Sequence, residues 1–115
     1  MTNYYIYAVL LNGCPYSNNA LELLKKHKIN HQIQIVTSEN KEKFKMENYG
    51  TYPQIFLKKN GTNDSLFLGG YTDLNNVLNT FKNNLNNLEN NISIFQYQYN
   101  WWSKKAILRL IQLIN

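Results

Sequence analysis

Cysteine is almost missing from this chain: Cys14 is the only one among 115 residues. That excludes an internal disulfide framework, fits a reducing compartment, and leaves Cys14 either a small buried filler or a reactive thiol. Charge is sparse at 17%, too little for a disordered chain, while 43% hydrophobic residues can fill the core of one domain. Long apolar runs are absent: no stretch nears the roughly 18–20 residues of a membrane span. The start, Met1-Thr2-Asn3-Tyr4, lacks the basic and apolar regions of a secretory signal, so a soluble, cytoplasmic protein is expected.

The excess of 12 Lys and Arg over 7 Asp and Glu gives a net charge of +5, without a basic arm or an aromatic RNA-binding motif. Nucleic acid is therefore not an expected partner, whereas an anionic small molecule would suit the charge. His27 and His31 fall at a helix end and a strand start, remote from Cys14, so neither a Cys–His pair nor a cluster of metal ligands is expected. The many Asn residues read as coding bias, and the sequons at Asn60, Asn63 and Asn91 as surface turns.

Tyr4 to Leu11 is a run of aliphatic, aromatic and β-branched residues closed by Asn12-Gly13, which predicts a buried strand and a turn. Pro15 suits the first position of a helix whose apolar face carries Ala20, Leu21, Leu23 and Leu24. His31 to Val36 reads as a second strand, Ser38 to Met46 as a short polar helix ended by Gly50, and Pro53 to Leu57 as a third strand. Asn60-Gly61 signals a hairpin into a fourth strand at Ser65 to Leu68, and Gly69-Gly70 a turn into a helix running to about Glu89. Beyond it, Phe95, Tyr97 and Tyr99 alternate as in a strand, and Trp101 to Ile114 forms a basic amphipathic helix. The expected organisation is α/β: a domain over residues 1–90 and a strand-plus-helix extension over 91–115. That extension packs on the domain or a twin subunit, or docks on a partner or membrane surface.

A cysteine between a buried strand and a helix meets free N–H groups and the positive end of the helix dipole, which favour the thiolate. Cys14-Pro15-Tyr16-Ser17 resembles the Cys-Pro-Tyr-Cys active site of glutaredoxins, with serine at the second cysteine. Thr51-Tyr52-Pro53 is similar to the family's Thr-Val-Pro strand start, and Gly69-Gly70-Tyr71-Thr72-Asp73-Leu74 to its Gly-Gly-x-x-Asp-Leu turn. The resemblance covers about residues 4–83 and implies a thioredoxin-like fold, a four-stranded mixed sheet flanked by helices.

It also implies a glutathione-dependent oxidoreductase working on glutathione mixed disulfides of proteins or small molecules. Cys14 would be the nucleophile, and Tyr16 would line the glutathione groove with Ser17 and Thr51 beside it. Pro53 would be cis, turning the Tyr52 backbone toward the cysteinyl part of glutathione for a short β-augmentation. Gly70, Tyr71 and Thr72 would receive the γ-glutamyl carboxylate at a helix start that Thr72 caps, and Asp73 would face the γ-glutamyl ammonium. With Ser17 in place of a resolving cysteine only a monothiol route remains, and Ser17 is expected to hydrogen-bond the thiolate.

One departure concerns charge. The family's usual lysine three residues before the cysteine is Leu11 here, which removes a cation from the thiolate and from the glycine carboxylate. Lys45 is the candidate replacement. Two other readings stand beside the enzyme: a dimer holding a [2Fe–2S] cluster through Cys14 and glutathione, and a redox-inactive interaction module. A monomer and a homodimer are both compatible with the sequence.

Overall fold

The first strand, β1 (Tyr4–Leu11), alternates between two faces, and each face has its own cover. Ile6, Ala8 and Leu10 point into the main core, whereas Val9 packs with Val36 and Tyr52 in a smaller cluster behind the sheet. This two-sided burial explains why β1 reads as an almost unbroken apolar run. The computed structural model describes residues 3–45 and 49–115. In it β1 is followed by α1 (Pro15–Lys26), β2 (His31–Val36), a 3-10 helix (Lys41–Phe44), β3 (Gln54–Lys59), β4 (Ser65–Gly69), α2 (Tyr71–Phe81), α3 (Leu88–Gln98) and α4 (Lys104–Ile114).

The strands form one mixed sheet in the order β2-β1-β3-β4. β2 runs parallel to β1, which requires the crossover through α1, while β3 and β4 are antiparallel neighbours joined by a hairpin. Ala20 and Leu24 of α1 and Leu74, Val77, Leu78 and Phe81 of α2 bury against the sheet in the main core. Phe44 of the 3-10 helix covers the smaller cluster on the other face. This is the α/β architecture of a thioredoxin-like fold, with the carboxyl end of β1 and the start of α1 at one end of the sheet.

Three elements differ from the sequence expectation. The polar helix over Ser38 to Met46 is one 3-10 turn at Lys41–Phe44, and Met46 lies outside the described residues. Asn40 Oδ1 reaches back to accept the Thr37 N–H at 2.8 Å, a local side-chain-to-backbone bond of the kind that competes with regular helix. The helix expected to reach Glu89 stops at Phe81: Lys82 is extended (φ −70°, ψ 121°), Asn83 (φ 56°) is left-handed, and left-handed Asn87 (φ 52°) opens a separate helix. Asparagine tolerates that conformation better than other side-chain-bearing residues, so here two of the discounted asparagines have a structural role.

The expected strand over Ile92 to Tyr99 is helix α3. Its inward residues are Ile92, Phe95 and the capping Tyr99, with half-buried Leu88 one turn earlier, a spacing of four, three and four. The alternation of Phe95, Tyr97 and Tyr99 concealed this helical period, and Tyr97 is in fact 92% exposed. α4 lays Ile107, Leu110, Ile111 and Ile114 into the same core as β1 and α2. Its last turn is tied to the end of α2, where Asn115 Nδ2 donates to the Phe81 carbonyl at 3.1 Å and Asn115 Oδ1 accepts from the Asn83 N–H at 2.8 Å. The apolar face of the terminal helix is thus covered by the chain's own domain.

Candidate functional site: a groove beside Cys14

Cys14 is the residue before α1, with extended backbone (φ −85°, ψ 122°) and Pro15 in the first turn. Gly13 (φ 80°) permits the tight reversal from β1, and the Cys14 N–H closes it by donating to the Leu11 carbonyl at 3.1 Å. Pro15 has no N–H, so the first-turn donors left to face an anion are those of Tyr16 and Ser17. The half-buried sulfur points across the groove, donating to the Tyr52 carbonyl at 3.9 Å.

Tyr52 comes from the opposite wall. The Tyr52–Pro53 peptide bond is cis. The Tyr52 side chain is buried with Val9 and Val36, and its hydroxyl donates to the Lys41 carbonyl. The ring therefore turns into the protein while the main chain faces Cys14. Burial raises the Tyr52 pKa, with Lys45 opposing and Glu42 reinforcing the shift. The phenol stays protonated at neutral pH and keeps its role as donor.

The third wall is the start of α2. Gly70 precedes the helix, and its N–H donates to Asp73 Oδ2 at 2.8 Å. The cap is thus supplied by Asp73 reaching back and not by Thr72, which sits exposed in the first turn. Gly69 has φ 123°, and a Cβ there would collide with the Asp73 carboxylate, so glycine is required for both reasons. The N–H groups of Tyr71 and Thr72 belong to the first helical turn, where no intrahelical acceptor exists.

These walls enclose a groove of about 550 Å³, within the usual range of roughly 300–1,000 Å³ for small-molecule sites. Cys14, Tyr16, Lys45, Thr51, Tyr52, Pro53, Gly70, Tyr71, Thr72 and Asp73 all line it. Tyr16 and Tyr71 narrow one side, their ring centroids 6.2 Å apart. Ser17 does not line it: the side chain is fully buried, and its Oγ accepts the Leu11 N–H at 3.0 Å. The hydroxyl therefore serves the strand-to-helix turn, where a serine acceptor satisfies a backbone donor at the end of β1.

Three further lining residues, Lys41, Tyr49 and Gly50, were not among the expected site residues. Lys41 and Lys45 bring positive charge to the groove that Leu11 itself lacks, and Lys45 shares its charge with Glu42 Oε1 at 3.0 Å. The positions of these cations depend on the Lys41–Phe44 turn, which sequence periodicity did not resolve.

Among curated proteins none matches the chain. The glutaredoxin family model matches residues 4–61, half of the sequence. That span runs from β1 to the turn that follows β3 and includes Cys14, Tyr16 and the Tyr52–Pro53 turn. With the mixed four-stranded sheet and the cysteine at the head of α1, this shows that the chain belongs to the glutaredoxin family.

Proposed function

We propose that the protein is a glutathione-dependent monothiol oxidoreductase that reduces glutathione mixed disulfides through Cys14. The observation that carries this reading is the meeting of three groups in one groove: the Cys14 sulfur, the Tyr52 main chain, and the α2 helix start with Asp73.

The groove fits glutathione by the chemistry of its walls. The tripeptide's γ-glutamyl carboxylate suits the free N–H groups of Tyr71 and Thr72 at the positive end of α2. Its ammonium suits the Asp73 carboxylate, and its cysteinyl backbone suits the N–H and C=O of Tyr52. Its glycine carboxylate would meet Lys41 and Lys45, the cations on the remaining side. Thr51 and Tyr16 complete the walls.

Held this way, the glutathione sulfur of a mixed disulfide faces Cys14. The Cys14 thiolate attacks that sulfur, a Cys14–glutathione disulfide forms, and the bond to the substrate sulfur breaks. The substrate leaves as a thiolate and takes a proton from water. A second glutathione thiolate then attacks the glutathione sulfur on Cys14, which releases glutathione disulfide and regenerates the Cys14 thiolate.

The test is reduction of a glutathione mixed disulfide, coupled to glutathione reductase, with wild type and Cys14→Ser. Wild type is expected to turn over and the variant to lose at least about a thousandfold, since removal of a nucleophile leaves only residual catalysis. Absence of turnover in folded wild type at saturating glutathione would overturn the reading.

A further inference from the structure

Asp73 is held on two sides, and one of the two holders comes from the C-terminal segment. Oδ2 accepts the Gly70 N–H at 2.8 Å, and Oδ1 accepts the Tyr99 hydroxyl at 2.8 Å. Tyr99 caps the end of α3, twenty-six residues from Asp73 in sequence and beyond the span matched to the family. Asn76 Nδ2 donates to the Tyr99 oxygen at 3.1 Å, which leaves the phenol proton to point at Asp73.

The hydroxyl is held rigidly. Tyr99 is 1% exposed, and its ring lies between Phe95 and Trp102 at centroid distances of 4.5 and 4.3 Å. Burial is the main cause that pushes its pKa up to about 12, with the Asp73 carboxylate adding to the shift and Asn76 opposing it. The group therefore remains an O–H donor across the neutral range. A carboxylate has about four acceptor positions, so two donors leave room on both oxygens for a third.

We propose that Tyr99 is a positioning residue for substrate recognition. By fixing one oxygen of Asp73 it aims the carboxylate at the γ-glutamyl ammonium, and the C-terminal segment thereby sets affinity for the glutathionyl substrate without touching it. This rests on the glutathione reading of the groove. The physical basis is preorganisation: a carboxylate already fixed in place loses less rotamer freedom when the ammonium arrives.

A purely structural Tyr99 would need its hydroxyl bond only to satisfy a buried polar atom, and substrate selectivity separates the two roles. Tyr99→Phe keeps the aromatic stack and removes the hydroxyl alone. It is assayed with a glutathione mixed disulfide of a small thiol and with the same disulfide carrying glutaryl in place of γ-glutamyl, which lacks only the ammonium. For the natural substrate KM is expected to rise about tenfold with kcat within about twofold, the signature of lost binding on the scale of one hydrogen bond to a charged group. For the glutaryl substrate KM is expected to stay at the wild-type value.

An equal KM rise on both substrates, or none on either, overturns the proposal. Should Tyr99→Phe fail to fold, Asn76→Ala removes the shorter of the two amide bonds that orient the hydroxyl, leaving Gln98 Nε2 at 3.5 Å, and is expected to give the same selective rise at about threefold; an unselective result there also overturns it. Wild type that does not turn over the natural substrate removes the oxidoreductase reading and this one with it. Active wild type matched by Tyr99→Phe on both substrates removes only the positioning role.

Discussion

Residues 4–61 put functional groups directly into the groove, Cys14 and Tyr16 from the head of α1 and Tyr52 from the turn before β3. Residues 88–115 are absent from its lining, and among the hydrogen bonds of the described residues the Tyr99 hydroxyl on Asp73 links them to it. Yet Ile92, Phe95, Tyr99, Trp102, Ile107, Leu110, Ile111 and Ile114 share one buried cluster with β1, α1 and α2. The comparison separates two ways of contributing to a site. Reactive groups sit at element ends, where the backbone is free to bond a ligand. The support for those groups is supplied by apolar packing from far along the chain.

The sharpest way to break that comparison is Trp102→Ala. Trp102 is 1% exposed and stacks on Tyr99 at 4.3 Å, so its truncation is expected to cost about 3–5 kcal/mol, the usual range for a fully buried large aromatic. Urea unfolding followed by circular dichroism and by fluorescence should show one coincident transition at lower midpoint. A separate early transition for the C-terminal segment would mean that it does not share the core's cooperativity.

Ser17→Ala tests the other region. It leaves the partly buried Leu11 N–H without its side-chain acceptor, and a loss of about 1–3 kcal/mol is expected. The same urea titration measures it, and a cost above that of Trp102→Ala would reverse the ranking of the two regions.

The smallest effect concerns His27, beside the ends of α1 and α2. Its pKa is lowered below 6.5, chiefly by burial and further by Lys26 and Lys82. The folded chain therefore binds that proton less readily than the unfolded one, so stability is full above the unfolded value and declines as pH falls through it. In His27→Gln the fall in unfolding free energy between about pH 6.5 and 5 should be shallower than in wild type. Equal slopes would assign no linkage to His27.

Much of the fold was legible because its signals were local. The apolar run of β1, Pro15 at the head of α1 and Asn60-Gly61 before β4 each report on adjacent backbone. The groove residues were legible through motif resemblance, since Cys14, Tyr52-Pro53 and Gly70 to Asp73 each fall within a short run similar to a glutaredoxin motif. What was missed depends on long-range or mixed signals. Asn83 after α2 and Asn87 before α3 split the expected helix through left-handed backbone that their abundance disguised. α3 was hidden by an accidental alternation of aromatics, and Thr72 was displaced as a cap by the reach of Asp73. The role of Ser17 at Leu11, and that of Tyr99 at Asp73, required knowing which side chains the fold brings together.

Cys14 has no second thiol in these 115 residues to pair with. Its disulfide state is therefore always a union of two molecules, formed by exchange with a disulfide that releases one partner thiol. The fraction oxidised then follows the simple ratio of partner disulfide to partner thiol, whereas a chain that closed an internal disulfide would release two partner thiols and respond to the square of their concentration. A chain built this way reads that ratio directly, whatever the total amount of its partner.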